Sequence, residues 1–142
     1  MRTEPTEHEE QASLIRWAEL RQAEWPELAL LHAIPNGGDR HRVTAAKLKA
    51  EGVRPGVPDL CLPVPRGGWH GLYIELKTRT GRASKDQRRW IAALRRLGYR
   101  AEICRGWEAA RVVIENYLST EAVEPGAAAP AETQPPKQGA MQ

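Results

Sequence analysis

Between Leu72 and Lys77 the chain alternates in character, with Leu72, Ile74 and Leu76 interleaved with Tyr73, Glu75 and Lys77. Successive side chains of a β-strand point to opposite faces. The three aliphatic residues can therefore pack inward while Tyr73, Glu75 and Lys77 share the other face. A carboxylate and an ammonium are thereby set side by side. Asp59 to Val64 reads as a second, buried strand, and Pro65-Arg66-Gly67-Gly68 as the hairpin loop that joins it to Leu72–Lys77. A hairpin makes the two strands antiparallel neighbours, which brings Asp59 and Glu75 to one place.

The remaining elements follow from caps and breakers. Thr6 with Glu9 forms a capping box that starts a helix running to about Glu24, its buried stripe including Leu14, Ile15, Ala18 and Leu20, with Pro26 marking the end. Leu28 to Ile34 reads as a strand, followed by a flexible turn at Pro35-Asn36-Gly37-Gly38. Val43 to Glu51 is a second predicted helix, stopped by Gly52. Ser84 and Gln87 form another capping box, opening a helix to Leu97 whose inward face is Trp90, Ile91, Leu94 and Leu97. Gly98 ends it, Tyr99 to Cys104 is a strand, and Trp107 to Leu118 a closing helix. The order α-β-α-β-β-α-β-α predicts an α/β fold: a small mixed sheet flanked by helices. One domain over residues 1–118 is expected, followed by a Pro- and Ala-rich disordered tail over 119–142.

Composition narrows the function classes. The 142 residues suffice for a single modest core. No apolar run approaches bilayer length, and the acidic stretch Glu4–Glu10 lacks the regions of a signal peptide, so a cytoplasmic location is expected. Cys61 and Cys104 lie far apart in apolar surroundings and read as buried reduced thiols. The formal charge of +3 hides an asymmetry: between Lys77 and Arg105 ten basic residues face only Asp86 and Glu102, a local net of +8. Such a concentration points to a phosphate-rich partner.

Two carboxylates suit a hard cation such as Mg²⁺, which takes one or two protein carboxylates and keeps several waters. The lysine suits a water or a phosphate oxygen, and together the three residues are the minimum kit for metal-assisted phosphodiester hydrolysis. Each has a plainer reading: a turn-forming Asp59, and a solvated ion pair for Glu75 and Lys77, which would be worth little. A carboxylate beginning the apolar strand Leu60-Cys61-Leu62 is nevertheless costly without a cation or hydrogen-bond partners. Gln87 is explained by its capping box, yet helical geometry also turns it toward the sheet. Arg79 and Arg82, directly after Lys77, are placed to hold a nucleic-acid strand, and Lys85, Arg88 and Arg89 form a basic helix face. The loop Asn36-Gly37-Gly38-Asp39-Arg40 could approach a phosphate through its amides. Trp69, at a loop tip, could stack on DNA or contact a dimer partner, whereas Trp17, Trp90 and Trp107 read as core.

Gly56-Val57-Pro58-Asp59, Glu75-Leu76-Lys77 and Ser84-Lys85-Asp86-Gln87, in this order, resemble the VRR-NUC family of the PD-(D/E)XK nuclease superfamily. The resemblance extends to the first helix with Glu7 and Gln11, to Pro35-Asn36-Gly37-Gly38 and to Gly98, and it spans about Thr6 to Leu118. It implies a restriction-endonuclease-like core with Asp59, Glu75 and the Leu76 carbonyl as ligands of Mg²⁺ or Mn²⁺. Lys77 would orient or activate the attacking water, Gln87 would be a site residue, and Glu7 would complete the site, with Glu10 as its rival one helical turn away. It further implies a homodimeric endonuclease acting on branched DNA such as Holliday junctions. A non-catalytic DNA-binding module on the same fold, and a sequence-specific restriction-type enzyme, are the alternatives; chelator sensitivity separates the first, and the second needs a readout element for which the chain leaves little room.

Overall fold

The computed structural model describes residues 3–35 and 42–122. The loop centred on Gly37–Asp39 and the tail beyond Ala122, both assigned expectations above, lie outside the described residues. The elements are α1 (Glu7–Leu20), β1 (His32–Ala33), α2 (Arg42–Ala50), β2 (Leu60–Leu62), β3 (Leu72–Lys77), α3 (Lys85–Arg96), β4 (Arg100–Arg105) and α4 (Trp107–Ser119). The four strands form one sheet in the order β1-β2-β3-β4. The first two pairings are antiparallel and β3–β4 is parallel, with α3 as the crossover. The expected mixed sheet flanked by helices is thus the observed fold.

Alternation in β3 sorts the molecule into two layers. Leu72, Ile74 and Leu76 join Leu60 and Leu62 of β2, Leu14 and Ala18 of α1, and Ile114 and Tyr117 of α4 in the larger core. Tyr73 faces the other way, onto Ile91 and Leu94 of α3 and Ala101 of β4. Each fully buried Leu or Ile contributes roughly 2 kcal/mol by removal from water. The face that carries Glu75 and Lys77 is therefore covered rather than solvated: both are buried, at 1% and 6% exposure. Both cysteines are free and buried.

Both capping boxes form as read from the sequence, Thr6 with Glu9 and Ser84 with Gln87. Several boundaries differ. The first helix stops at Leu20, because Arg21 leaves the helical region and pairs instead with Glu24 at 2.9 Å. Leu20 is 76% exposed rather than buried; two residues beyond Ala18, it falls on the far side of the helix. Leu28–Ile34 is not one strand. Pro26 starts a 3-10 turn over Pro26–Leu30, anchored by buried Leu28, and only His32–Ala33 pair with β2. Leu97 is likewise 67% exposed, since it caps α3 after its last turn. Trp69 packs against the larger core instead of standing free at a loop tip. Among the described residues no helix is long and apolar enough to cross a membrane.

Candidate active site

Asp59 lies immediately before β2. The register Leu60↔Ile74 continues to set Asp59 across from Glu75. The Asp59 Oδ2 accepts a hydrogen bond from the Leu76 amide at 2.8 Å, which locks the carboxylate against β3. Gly56 explains how this end of the sheet meets α3. Its φ is +89°, and a Cβ there would stand 2.5 Å from the Asp86 backbone carbon, so only glycine lets the segment lie against the helix start. That contact puts Gln87, on the first turn of α3, over Glu75.

Gln87 fills both of its expected places. Its Oε1 accepts from the Ser84 amide at 2.8 Å, completing the cap, and its Nε2 donates to Glu75 Oε1 at 2.8 Å. The Lys77 ammonium reaches the same Glu75 oxygen at 3.2 Å and Glu7 Oε1 at 3.6 Å. Glu75 Oε2 is buried and no N–H or hydroxyl group donates to it, while the Asp59 carboxyl stands close enough to Glu75 to share a proton with it. Burial, and next the nearby Asp59 charge, push the Glu75 carboxyl up to about 7, against the pull of Lys77. Burial also raises Asp59, opposed by the Leu76 amide and Lys77. Two acids with raised affinity for protons and one orphan oxygen form a site that favours added positive charge.

Of the two rival acids on α1, Glu7 faces Lys77, whereas Glu10 Oε2 accepts the Trp107 amide at 2.6 Å and caps α4. Gly106 offers α4 no side-chain cap, so the acid comes from across the fold. Among the described residues no three His, Cys, Asp or Glu side chains close around a point. The donor set here is two carboxylates with Glu7 beyond Lys77, which matches what Mg²⁺ takes from a protein better than what a zinc cage requires.

Arg79, Arg82, Lys85, Arg88 and Arg89 are all exposed. Arg88 is partly engaged with the Ala83 carbonyl at 3.1 Å, and Arg89 sits 3.9 Å from Asp86. A role for Arg105 was missed: its guanidinium binds the carbonyls of Thr78, Arg79 and Gly81. Nothing in the local sequence distinguishes it from its basic neighbours; the signal is its place opposite Lys77 in the sheet.

The fold is that of a nuclease-type domain of DNA processing, as two comparisons show. Residues 1–108 match the VRR-NUC domain family model. A solved structure described as a VRR_NUC domain protein is similar over 84% of this chain and 93% of that one, with 30% identity and a TM-score of 0.73. No curated protein matches the sequence. The chain belongs to the VRR-NUC domain family.

Proposed function

We propose that this chain is a Mg²⁺- or Mn²⁺-dependent DNA endonuclease that cuts branched DNA, Holliday junctions included, as a cytoplasmic homodimer. The observation that carries the metal-dependent chemistry is the orphan Glu75 Oε2, buried beside Asp59. Branch preference and the dimer are supported by the family alone. Asp59, Glu75 and the Leu76 carbonyl would hold the cation, with Glu7 at the border of the site. When bound, the cation supplies Lewis acidity at the scissile phosphate and lowers the pKa of an adjacent water.

The protein's own groups then have distinct tasks. Gln87 and Lys77 both engage Glu75 Oε1, which orients the carboxylate and leaves Oε2 free. The Leu76 amide fixes Asp59 in the same way. Lys77, held between Glu75 and Glu7, presents its ammonium to the attacking water and to the charge that develops on the phosphate. A bond forms from the water oxygen to phosphorus as the water gives a proton to solvent, and the bond to the 3′ oxygen breaks as that oxygen takes up a proton from solvent, leaving a 5′-phosphate and a 3′-hydroxyl. Arg79 and Arg82 hold the strand by its phosphates.

The test is incubation of the purified protein with four-way junctions, flaps, nicked and linear duplexes, with Mn²⁺, Mg²⁺ or chelator. Cleavage is expected with either metal, to vanish in chelator, and to favour the branched substrates. Lys77→Ala should cut at least a hundredfold more slowly, the order expected for loss of a transition-state charge contact, while DNA binding stays within a few-fold. Cleavage in chelator, or a Lys77→Ala variant at wild-type rate, would refute the assignment.

A further inference from the structure

Arg105 occupies the last position of β4, directly opposite Lys77 at the last position of β3. Its Nη1 donates to the carbonyls of Thr78 at 3.1 Å, Arg79 at 3.3 Å and Gly81. One nitrogen with two N–H groups thus serves three acceptors of a single four-residue loop. The loop also closes on itself, the Gly81 amide donating to Thr78 Oγ1 at 3.0 Å. Its position is set against the acid site: a Cβ at Gly81 would lie 3.5 Å from Glu7 Oε1.

Lys77 also has contacts of its own outside this loop. Its own carbonyl accepts from the Gly106 amide at 3.0 Å, and its ammonium is held by Glu75 and Glu7. What Arg105 controls is the residue the loop exposes, Arg79. Arg79 and Arg105 line a cavity of about 810 Å³ together with Glu4 and Glu10. Glu10 is already committed to the Trp107 amide, so the exposed Arg79 and Arg105 together outweigh the exposed Glu4 on a cavity large enough for a nucleotide.

We propose that Arg105 is a positioning residue: it closes the 78–81 loop so that Arg79 grips the phosphate of a nucleotide seated in this cavity, next to the scissile one. The inference rests on the nuclease reading for the identity of the ligand, though not for the closure of the loop. Loss of Arg105 should then weaken substrate binding and leave the chemical step alone. A direct phosphate contact by Arg105 would instead act independently of Arg79.

Binding of a four-way junction measured in chelator, where no cutting occurs, separates these cases. Arg105→Ala and Arg79→Ala are each expected to raise Kd about tenfold, and the double variant to lie within about twofold of either single, because coupled residues are not additive. Arg105→Lys, which keeps three donors on a shorter stem, should restore part of the lost binding, to between the alanine variant and wild type. In Mn²⁺ the Arg105→Ala effect should fall on KM, with kcat within about threefold of wild type. Trypsin should cut after Arg79 and Arg82 several-fold faster in Arg105→Ala, a readout that needs no nuclease activity. Arg105 is exposed, and Arg105→Met, which keeps the stem without the donors, should repeat every result should the alanine variant fold poorly. Additive losses, or unchanged binding and proteolysis, would overturn the proposal. A wild-type protein that fails to cut with either metal would instead sink the nuclease reading, and the trypsin comparison would still decide whether Arg105 closes the loop.

Discussion

Gln87 caps α3 with one atom and holds Glu75 with another, so its two functions can be pulled apart by changing a single group. Gln87→Glu keeps the oxygen that the capping box needs, and Glu is equally at home at that position. It cannot donate to Glu75, and it adds a third negative charge beside Asp59 and Glu75. The cap is kept, but the like charge beside buried Glu75 should lower the melting temperature more at about pH 8 than at about pH 5, where added protons relieve the repulsion. Cleavage should fall at least tenfold, a loss expected to exceed ~1.4 kcal/mol. Thermal melts paired with cleavage rates check this. Glu75 itself predicts a pH signature. Its carboxyl titrates near 7 in the fold against 4.5 in the unfolded chain, so the folded state binds more protons between those values. Stability should fall as pH rises from about 4.5 to about 7 and this contribution should level off above. Glu75→Gln should flatten that fall, and Mg²⁺ or Mn²⁺ should raise the melting temperature of the wild type at pH above 7 but not of the variant. Melting curves across pH, with and without metal, decide both points.

The elements converge on the site through close backbone contacts rather than through side-chain bulk. Gly56 abuts the start of α3 with φ +89° and no room for a Cβ. Gly56→Ala should cost upwards of ~2 kcal/mol, from the disfavoured φ and the collision with the Asp86 backbone, and should pull Gln87 away from Glu75. Denaturant unfolding would measure the first effect and cleavage rate the second. The two capping boxes, the hairpin and the β3 alternation were all legible in the sequence, because each depends on residues within a few positions of one another. The break at Leu28–Ile34 was not: an apolar run looks alike as a strand or as a 3-10 turn, and here Leu28 is claimed by the core while Leu30 is left exposed. Leu20 and Leu97 were misplaced for a similar reason, each being apolar but lying beyond the face its helix buries.

At the scale of the molecule, the basic face of α3 and the loop after β3 flank the acid site, and association with DNA should depend steeply on salt. Neutralising Lys85 and Arg89 together should flatten the slope of log Kobs against log salt by about 1.8, at about 0.9 for each phosphate contact, with little change in the cleavage rate at saturation. Binding isotherms at several salt concentrations test this. By itself the sequence determined the order of elements, the faces of β3, the caps, and the approach of Asp59 to Glu75 and Lys77, because strand alternation and hairpin pairing are local rules, whereas the seat of Gln87 over Glu75 needed the tertiary contact of Gly56 with α3. Only the tertiary structure decided that Glu7 rather than Glu10 faces Lys77, that Glu75 keeps an orphan oxygen, and that Arg105 closes the loop carrying Arg79. These facts depend on burial and on contacts between residues distant in the chain, where the same charged side chain can be a ligand, a cap or a clasp according to what the fold sets beside it.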